Sequence, residues 1–201
     1  WRSLATRLAT AELEGSALDV ATGTGDFAFA LSRRPGIESV VGVDFVPEMV
    51  SLARAKARKR ETHRSVEFSV ADALALPFSH NAFACATSGF GLRNVVDLPA
   101  ALSEMARVVR PGGRVVTLEM TPFERNGPFP MLFRLYFHRM VPLLGSLLAG
   151  DREAYTYLPQ SVDVFPTAVE LTGLMEQSGL RDVTYRKVGL GAVAIHVGVK
   201  G

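Results

Sequence analysis

The sequence predicts an α/β fold in which a mostly parallel sheet carries helices on both faces. Short apolar strand-like runs alternate regularly with helical segments over residues 16–119, and this alternation is typical of parallel strands joined by helical crossovers. Near the end of the chain, two further strand-like runs have few residues between them. A connection this short permits only an antiparallel pair, so we expect one strand to run against the others.

The individual elements follow from the apolar pattern and from the turn residues. We predict strands over residues 16–21, 39–44, 66–70, 83–88 and 114–119, and helices over 27–33, 47–60 and 98–109. Pro47 suits the first turn of its helix. Beyond Met120 the pattern breaks into a stretch rich in proline and aromatic residues, followed by a helix over 167–178 and strands over 183–188 and 192–200.

Composition excludes several classes of protein. A chain of 201 residues with 48% hydrophobic and 21% charged residues predicts one folded domain over 1–201, within which we interpret 121–166 as an insertion on the acceptor side of the site. A net charge of +2 is too small to indicate a nucleic-acid partner, and we interpret the basic run 54–64 as a solvated helix face. The single cysteine, Cys85, excludes an intrachain disulfide. We expect no metal site and a cytoplasmic location.

A glycine turn follows the first predicted strand. Residues 23–28 satisfy a dinucleotide-binding pattern, so a nicotinamide or flavin enzyme is one interpretation. However, Asp19 and Asp26 flank the turn, and carboxylates there would repel a pyrophosphate. The same acids would attract the sulfonium and ammonium groups of S-adenosylmethionine, although Asp26 could also be a helix N-cap.

Two further acids end the second and third strands. Asp44 is placed to accept hydrogen bonds from ribose hydroxyls, and Asp72 is placed beside an adenine amine. Each could instead be an ordinary polar loop residue. Together with Leu18–Gly25, Asp72–Ala73 and Arg110–Gly113, the pattern resembles the class I methyltransferase fold. That resemblance implies seven strands with an antiparallel last strand. It also implies a site for S-adenosylmethionine, with S-adenosylhomocysteine as product, formed by Asp19, Thr22, Gly23, Thr24, Gly25, Asp26, Asp44, Phe45, Met49, Asp72, Ala73, Ser88 and Gly89.

The sequence after the fourth strand is more specific than the glycine turn. Gly89–Val95 contains Gly-Leu-Arg-Asn, and it is similar to the demethylmenaquinone/ubiquinone C-methyltransferase family, as are segments 73–78, 142–145, 151–158 and 191–196. The resemblance implies methyl transfer to a ring carbon of a prenylated quinol, either a naphthoquinol or a benzoquinol. Arg93 would stabilise the phenolate and Asn94 would orient the hydroxyl or a water. A purely structural turn is the alternative.

Other segments leave alternatives open. Asp151 and Tyr155 are candidates for the acceptor wall or a proton relay, or else a helix cap and a packing aromatic. The apolar and basic segment 129–148 suits a membrane-interface helix, a lid or a homodimer contact. We interpret His196 as a hydrogen-bonded core residue. In the family, a segment with a tyrosine-aspartate motif precedes the pair Trp1-Arg2, and we expect turnover to depend on it. The rival functions are a related methyltransferase with another small acceptor (a phenol, sterol or lipid), a dehydrogenase, and a non-catalytic cofactor-binding module.

Overall fold

A computed structural model describes residues 1–59, 65–123 and 161–201. Its strands form one seven-stranded sheet with the order β3-β2-β1-β4-β5-β7-β6. The strands are β1 (Gly15–Val20), β2 (Ile37–Asp44), β3 (Ser65–Val70), β4 (Phe83–Gly89), β5 (Val109–Met120), β6 (Leu180–Val188) and β7 (Val193–Lys200). Among the strands of the described residues, β7 alone runs opposite to the other six, and it pairs antiparallel with β5 and β6, which confirms the predicted fold class.

Five α-helices lie within the described ranges. They are α1 (Arg2–Thr10), α2 (Asp26–Leu31), α3 (Pro47–Arg58), α4 (Leu98–Val108) and α5 (Ala168–Gln177). Helix α1 was not among the predicted elements. Its N-cap Trp1 makes no side-chain capping bond, and its buried face is small: Ala5, Thr6, Ala9 and Thr10. Leu4 and Leu8 pack beside this face at helical spacing, so the pattern of a helix was present in the sequence and was overlooked.

The helices cover both faces of the sheet. Ala17 of β1 packs in one apolar cluster with residues of α1, α2 and α3, whereas its neighbour Leu18 packs in the other with residues of α4 and α5. Cys85 and Ala86 of β4 divide in the same way, because successive side chains of a strand point to opposite faces. The result is a three-layer arrangement that fixes the ends of the strands.

The Arg110–Gly113 motif, which precedes the strand predicted over 114–119, is part of β5. The register between β4 and β5 shifts here, so that Val109 pairs with Phe83 but Arg114 pairs with Cys85. A Cβ on Gly113 would lie 2.5 Å from the carbonyl oxygen of Ala84. The strand can bend closely around β4 at this point only because residue 113 has no side chain.

The chain order places a crevice above the centre of the sheet. From β1 the chain winds outward through β2 to β3, and it then returns to β4 on the other side of β1. Ligands of such sheets bind where the winding direction reverses, outside the carboxyl ends of the strands. The acids and glycines of the predicted cofactor site lie at or just beyond the carboxyl ends of β1, β2, β3 and β4, so the fold brings them to this one edge.

Candidate active site

The glycine turn between β1 and α2 contains three residues with positive φ, namely Ala21 and two glycines. Gly23 has φ +55° and Gly25 has φ +84°, and the Gly25 amide donates to the carbonyl of Thr22 at 3.0 Å. A Cβ on Gly25 would lie 2.6 Å from Cζ of Phe68. Gly25 is also the N-cap of α2, so the alternative interpretation of Asp26 as the N-cap is wrong.

Asp19 is fully buried beneath this turn. Its carboxylate accepts hydrogen bonds from Thr22 Oγ1 at 2.5 Å and from Thr87 Oγ1 at 2.9 Å. Burial raises the pKa of Asp19 to about 6, while both hydroxyls and the charge of Arg2 act in the opposite direction. A cation that bound beside Asp19 would stabilise the ionised carboxylate further.

Asp26 begins α2 and is held by α3. Lys56 Nζ lies 3.0 Å from Asp26 Oδ1 and donates to Thr24 Oγ1 at 2.8 Å. The charge of Asp26 is therefore partly offset by an ammonium group. The interpretation of the basic run as a solvated face does not hold at Lys56, which is half-buried; residues 60–64 of that run lie outside the described ranges.

Asp44 and Asp72 are both fixed by backbone amides. Asp44 Oδ2 accepts the Gly23 amide at 2.7 Å, and its Oδ1 accepts the Val46 amide at 3.0 Å. Asp72 Oδ1 accepts the Leu74 amide at 2.9 Å. The structure thus fits the polar-loop interpretation of both acids, and each oxygen keeps a further lone pair for a ligand.

A cavity of about 560 Å³ lies over the carboxyl ends of β1 to β4. Nine of the residues predicted for the site line it: Thr22, Gly23, Asp44, Phe45, Met49, Asp72, Ala73, Gly89 and Asn94. A narrower cavity of about 100 Å³ adjoins it, lined by Asp19, Thr24 and Asp26. The two cavities share Ala21, Thr22, Gly89 and Phe90, so one elongated ligand could extend through both.

Three predicted residues line neither of these cavities. Gly25 shapes the turn from below, and Ser88 is fully buried with no hydrogen-bond partner for its hydroxyl among the described residues. Arg93 is directed to the buried Glu119, with 3.1 Å between its Nη1 and Oε2 of that carboxylate. Its guanidinium also lies 5.9 Å from the centre of the Phe90 ring.

Other predicted residues fall elsewhere. Asp151, Tyr155 and the segment 129–148 lie outside the described residues. His196 is fully buried and its Nε2 lies 2.8 Å from the carbonyl oxygen of Ala168, which confirms the interpretation of a hydrogen-bonded core histidine. Among the residues that the structure describes, no group of histidine, cysteine or acid side chains could hold a metal ion, and no helix is long and apolar enough to cross a membrane.

Sequence reasoning missed several residues around the cavities, including four charged or aromatic ones. Arg2 and Phe90 are wall residues, Lys56 holds Asp26, and Glu119 holds Arg93. The sequence marks Glu119 as an acid near the carboxyl end of a strand, as Asp44 is, but it gives no sign that Glu119 pairs with Arg93. Arg2 gave no signal, because it reaches the site only through the packing of α1.

The polar groups of the two cavities fit S-adenosylmethionine. Acids lie beside both cavities, where ribose hydroxyls, an adenine amine and cationic groups need acceptors or counter-charges. Arg2 adds a cation in the narrow cavity, which suits the carboxylate of an amino-acid tail. The volume of the larger cavity falls in the usual range for small-ligand sites.

Comparison with known proteins agrees with this fit. A demethylmenaquinone methyltransferase of Thermus thermophilus is 47% identical over 98% of this chain and 88% of its own length. The ubiquinone/menaquinone biosynthesis C-methyltransferase of Desulfotalea psychrophila is 40% identical over the whole chain and 79% of its own length. Among solved structures, an S-adenosylmethionine-dependent methyltransferase of Aquifex aeolicus has a TM-score of 0.64 at 20% identity, covering 92% of this chain and 81% of its own.

The fold and the cleft define a class I methyltransferase that depends on S-adenosylmethionine. More narrowly, the chain belongs to the ubiE/COQ5 methyltransferase family, whose model matches residues 1–200. It is therefore an enzyme that methylates in quinone biosynthesis. This membership sets aside the dehydrogenase and the non-catalytic module that the glycine turn left open.

Proposed function

We propose that the acceptor is a prenylated quinol and that the product is methylated on a ring carbon, as in the conversion of demethylmenaquinol to menaquinol. The observation that carries the proposal is the agreement of the whole chain with relatives named for that substrate. The acceptor-side turn supports it, because Gly89, Phe90, Gly91 and Asn94 of the family-like Gly89–Val95 segment line the larger cavity. A benzoquinol of the ubiquinone pathway is the alternative ring.

The reaction transfers a methyl group directly from sulfur to carbon. When bound, S-adenosylmethionine supplies an electrophilic methyl group and leaves as neutral S-adenosylhomocysteine. A carbon–carbon bond forms as the carbon–sulfur bond breaks. The ring carbon then loses its proton to solvent or a base and the quinol oxygen is protonated again, so that one proton is released overall. The main tasks of the protein are to align the two partners and to exclude water.

Each part of the cofactor has its own set of contacting residues. Asp44 binds the ribose hydroxyls, Asp72 accepts from the adenine amine, and Phe45, Met49 and Ala73 supply apolar walls. Asp19, Asp26 and Thr24 line the narrower cavity that receives the charged amino-acid tail, opposite Arg2. Gly89 and Phe90, which line both cavities, would hold the part of the cofactor that carries the methyl group.

The acceptor side is assigned to the turn after β4. Deprotonation of the quinol hydroxyl pushes electron density onto the ring carbon. Arg93 does not line the cavity, so its charge lowers the free energy of the phenolate from behind the wall residue Phe90. Asn94, which is exposed on the cavity wall, orients the hydroxyl or a water that accepts its proton. Asp151 and Tyr155 remain predictions for the same wall.

The test is methyl transfer from labelled S-adenosylmethionine to reduced demethylmenaquinone and, in parallel, to a reduced demethylated ubiquinone precursor in detergent. Arg93→Ala should lower the rate by about 100-fold or more, as does loss of one group that stabilises a developing anion. Arg33→Ala, a change at an exposed arginine just beyond α2, should leave the rate unchanged. Transfer to a phenol or sterol but to neither quinol would overturn the proposal.

We further propose that residues 1–201 act as one catalytic domain in the cytoplasm, with 121–166 over the acceptor side, and that the enzyme meets its lipid-tailed substrate at the inner face of the membrane. The apolar and basic composition of 129–148 supports this contact. Replacing Phe133 and Phe137 with serine should reduce co-sedimentation with anionic liposomes. Unchanged co-sedimentation together with concentration-dependent dimers would favour the homodimer contact instead.

A further inference from the structure

A buried carboxylate supports the acceptor-side turn from within the protein. Glu119, next to the last residue of β5, is fully buried. Its Oε1 accepts the backbone amide of Leu92 at 2.8 Å, and its Oε2 lies 3.1 Å from Nη1 of Arg93. The amide of Gly91 also acts on this carboxylate. One side chain therefore holds three consecutive residues of the turn.

The opposite side of the same turn faces the larger cavity. Gly91 and Asn94 line that cavity, and the Asn94 amide donates to the carbonyl of Gly91 at 3.0 Å. Leu92, between them, points into the core and is only 1% exposed. Because the turn is this short, a shift of Leu92 or Arg93 on the inner side must move Asn94 on the cavity side.

The burial of Glu119 opposes its ionisation. Burial raises the pKa of Glu119 to about 7, whereas the charge of Arg93 and the Leu92 amide favour the ionised form. Replacing a buried ion pair by well-packed neutral groups is often neutral or stabilising, so stability alone does not account for a carboxylate here. A role in placing the turn accounts for it.

We propose that Glu119 is a positioning residue for methyl transfer: it holds Leu92 and Arg93 on the inner side of the turn and thereby fixes the turn so that Asn94 faces the acceptor. Glu119 itself lines neither the larger nor the narrower cavity. Its loss should therefore slow the transfer step and leave cofactor binding intact. The kinetic part of this inference rests on the proposed function, since it concerns the acceptor of that reaction.

Glu119→Gln keeps the shape of the side chain and removes its charge. We expect kcat to fall by about tenfold or more while the Kd for S-adenosylmethionine changes by less than about twofold. Glu104→Gln is the matched control, because Glu104 also accepts a backbone amide, that of Leu76 at 2.8 Å, and pairs with an arginine, Arg107. A kcat within about twofold of wild type for both variants would overturn the proposal.

A double variant tests whether Glu119 acts through Arg93. We expect Arg93→Gln with Glu119→Gln to have the same kcat as Arg93→Gln alone, within about twofold, because residues that act as a unit are not additive. Losses that multiply would contradict the inference. The double variant leaves neither charge buried without its partner, so it should fold even if Glu119→Gln alone does not.

Hydrogen exchange tests the positioning role of Glu119 without any quinol substrate. In Glu119→Gln, or in the double variant if the single one does not fold, the amides of residues 90–95 should exchange faster than in wild type, while those of β1 stay protected. Unchanged exchange at 90–95 would overturn the positioning role. If the wild-type protein transferred no methyl group to any quinol, the proposed function would fail, and this exchange measurement would still decide the role of Glu119.

Discussion

The amide of Gly23 donates to the carboxylate of Asp44 at 2.7 Å, so the end of β2 and the glycine turn after β1 are joined at the cofactor cleft. The other carboxylate oxygen accepts the amide of Val46. Asp44 is thus held in one orientation before any ligand binds. Fixed acceptors of this kind reduce the ordering that binding requires.

Asp44→Asn should weaken cofactor binding. The amide has one acceptor oxygen where the carboxylate has two, so either a backbone amide or a ribose hydroxyl loses its partner. We expect the Kd for S-adenosylmethionine to rise by about 10- to 100-fold, as for hydrogen bonds to charged groups. Titration calorimetry measures it, with Glu38→Gln on the exposed side of β2 as the control. A change in Kd of less than about twofold would mean that Asp44 does not bind the cofactor.

Cofactor affinity should fall in acid because of Asp19. Its pKa is raised to about 6 by burial, so below that pH the side chain is neutral and no longer attracts a cationic ligand. We expect the Kd to increase as the pH drops from about 7.5 to about 5, and this increase to be absent in Asp19→Asn. If the variant kept the same pH dependence as wild type, Asp19 would not be the group responsible.

The free energy of unfolding without cofactor should fall as the pH rises. Asp19 and Glu119 have raised pKa values, about 6 and about 7, so the folded protein binds more protons than the unfolded chain between their unfolded and folded values. Their stabilising contribution is present below about pH 4 and is lost as the pH passes through about 6 to 7. Glu104 and Glu170 have lowered pKa values and act only in more acidic solution.

Urea unfolding at several pH values tests this dependence. The decline in unfolding free energy should be shallower in Glu119→Gln and in Asp19→Asn than in wild type. An unfolding free energy that rises steadily up to about pH 8 would mean that these two acids are ionised in the folded protein at much lower pH than their burial implies.

Gly25→Ala should destabilise the protein more than Gly112→Ala. Both glycines have positive φ, +84° and +76°, but only at Gly25 would a Cβ approach another group within 3 Å, the ring of Phe68. We expect backbone strain of about 1 kcal/mol at both sites and an additional cost of about 1–3 kcal/mol at Gly25 from the overlap. Urea unfolding compares them, and equal losses would show that Phe68 can move aside freely.

The order and type of most elements were predictable because each strand is a short apolar run and each crossover helix has a clear periodicity. The antiparallel last strand followed from the brevity of one connection. By contrast, α1 was missed although Leu4 and Leu8 have helical spacing, and Arg2 was missed with it. Patterns along the chain do not report which distant helix packs over the site.

The site residues that could be predicted are those that stand singly at the ends of strands. Asp44, Asp72 and the glycines could be found because their chemistry depends on local sequence. The partner of Arg93 could not, since Glu119 is 26 residues away and only the pairing of β4 with β5 brings them together. The same holds for Lys56, which reaches Asp26 across the packing of α3 against the turn.

The most direct test is the position of the new methyl group. The enzyme would be incubated with demethylmenaquinol and S-adenosylmethionine carrying an isotopically labelled methyl group, and the product analysed by NMR. We predict that the label is on a ring carbon and that the signal of one ring proton has disappeared. A label on the quinol oxygen, or no labelled quinol although the cofactor binds, would contradict the assignment of this enzyme as a quinol C-methyltransferase.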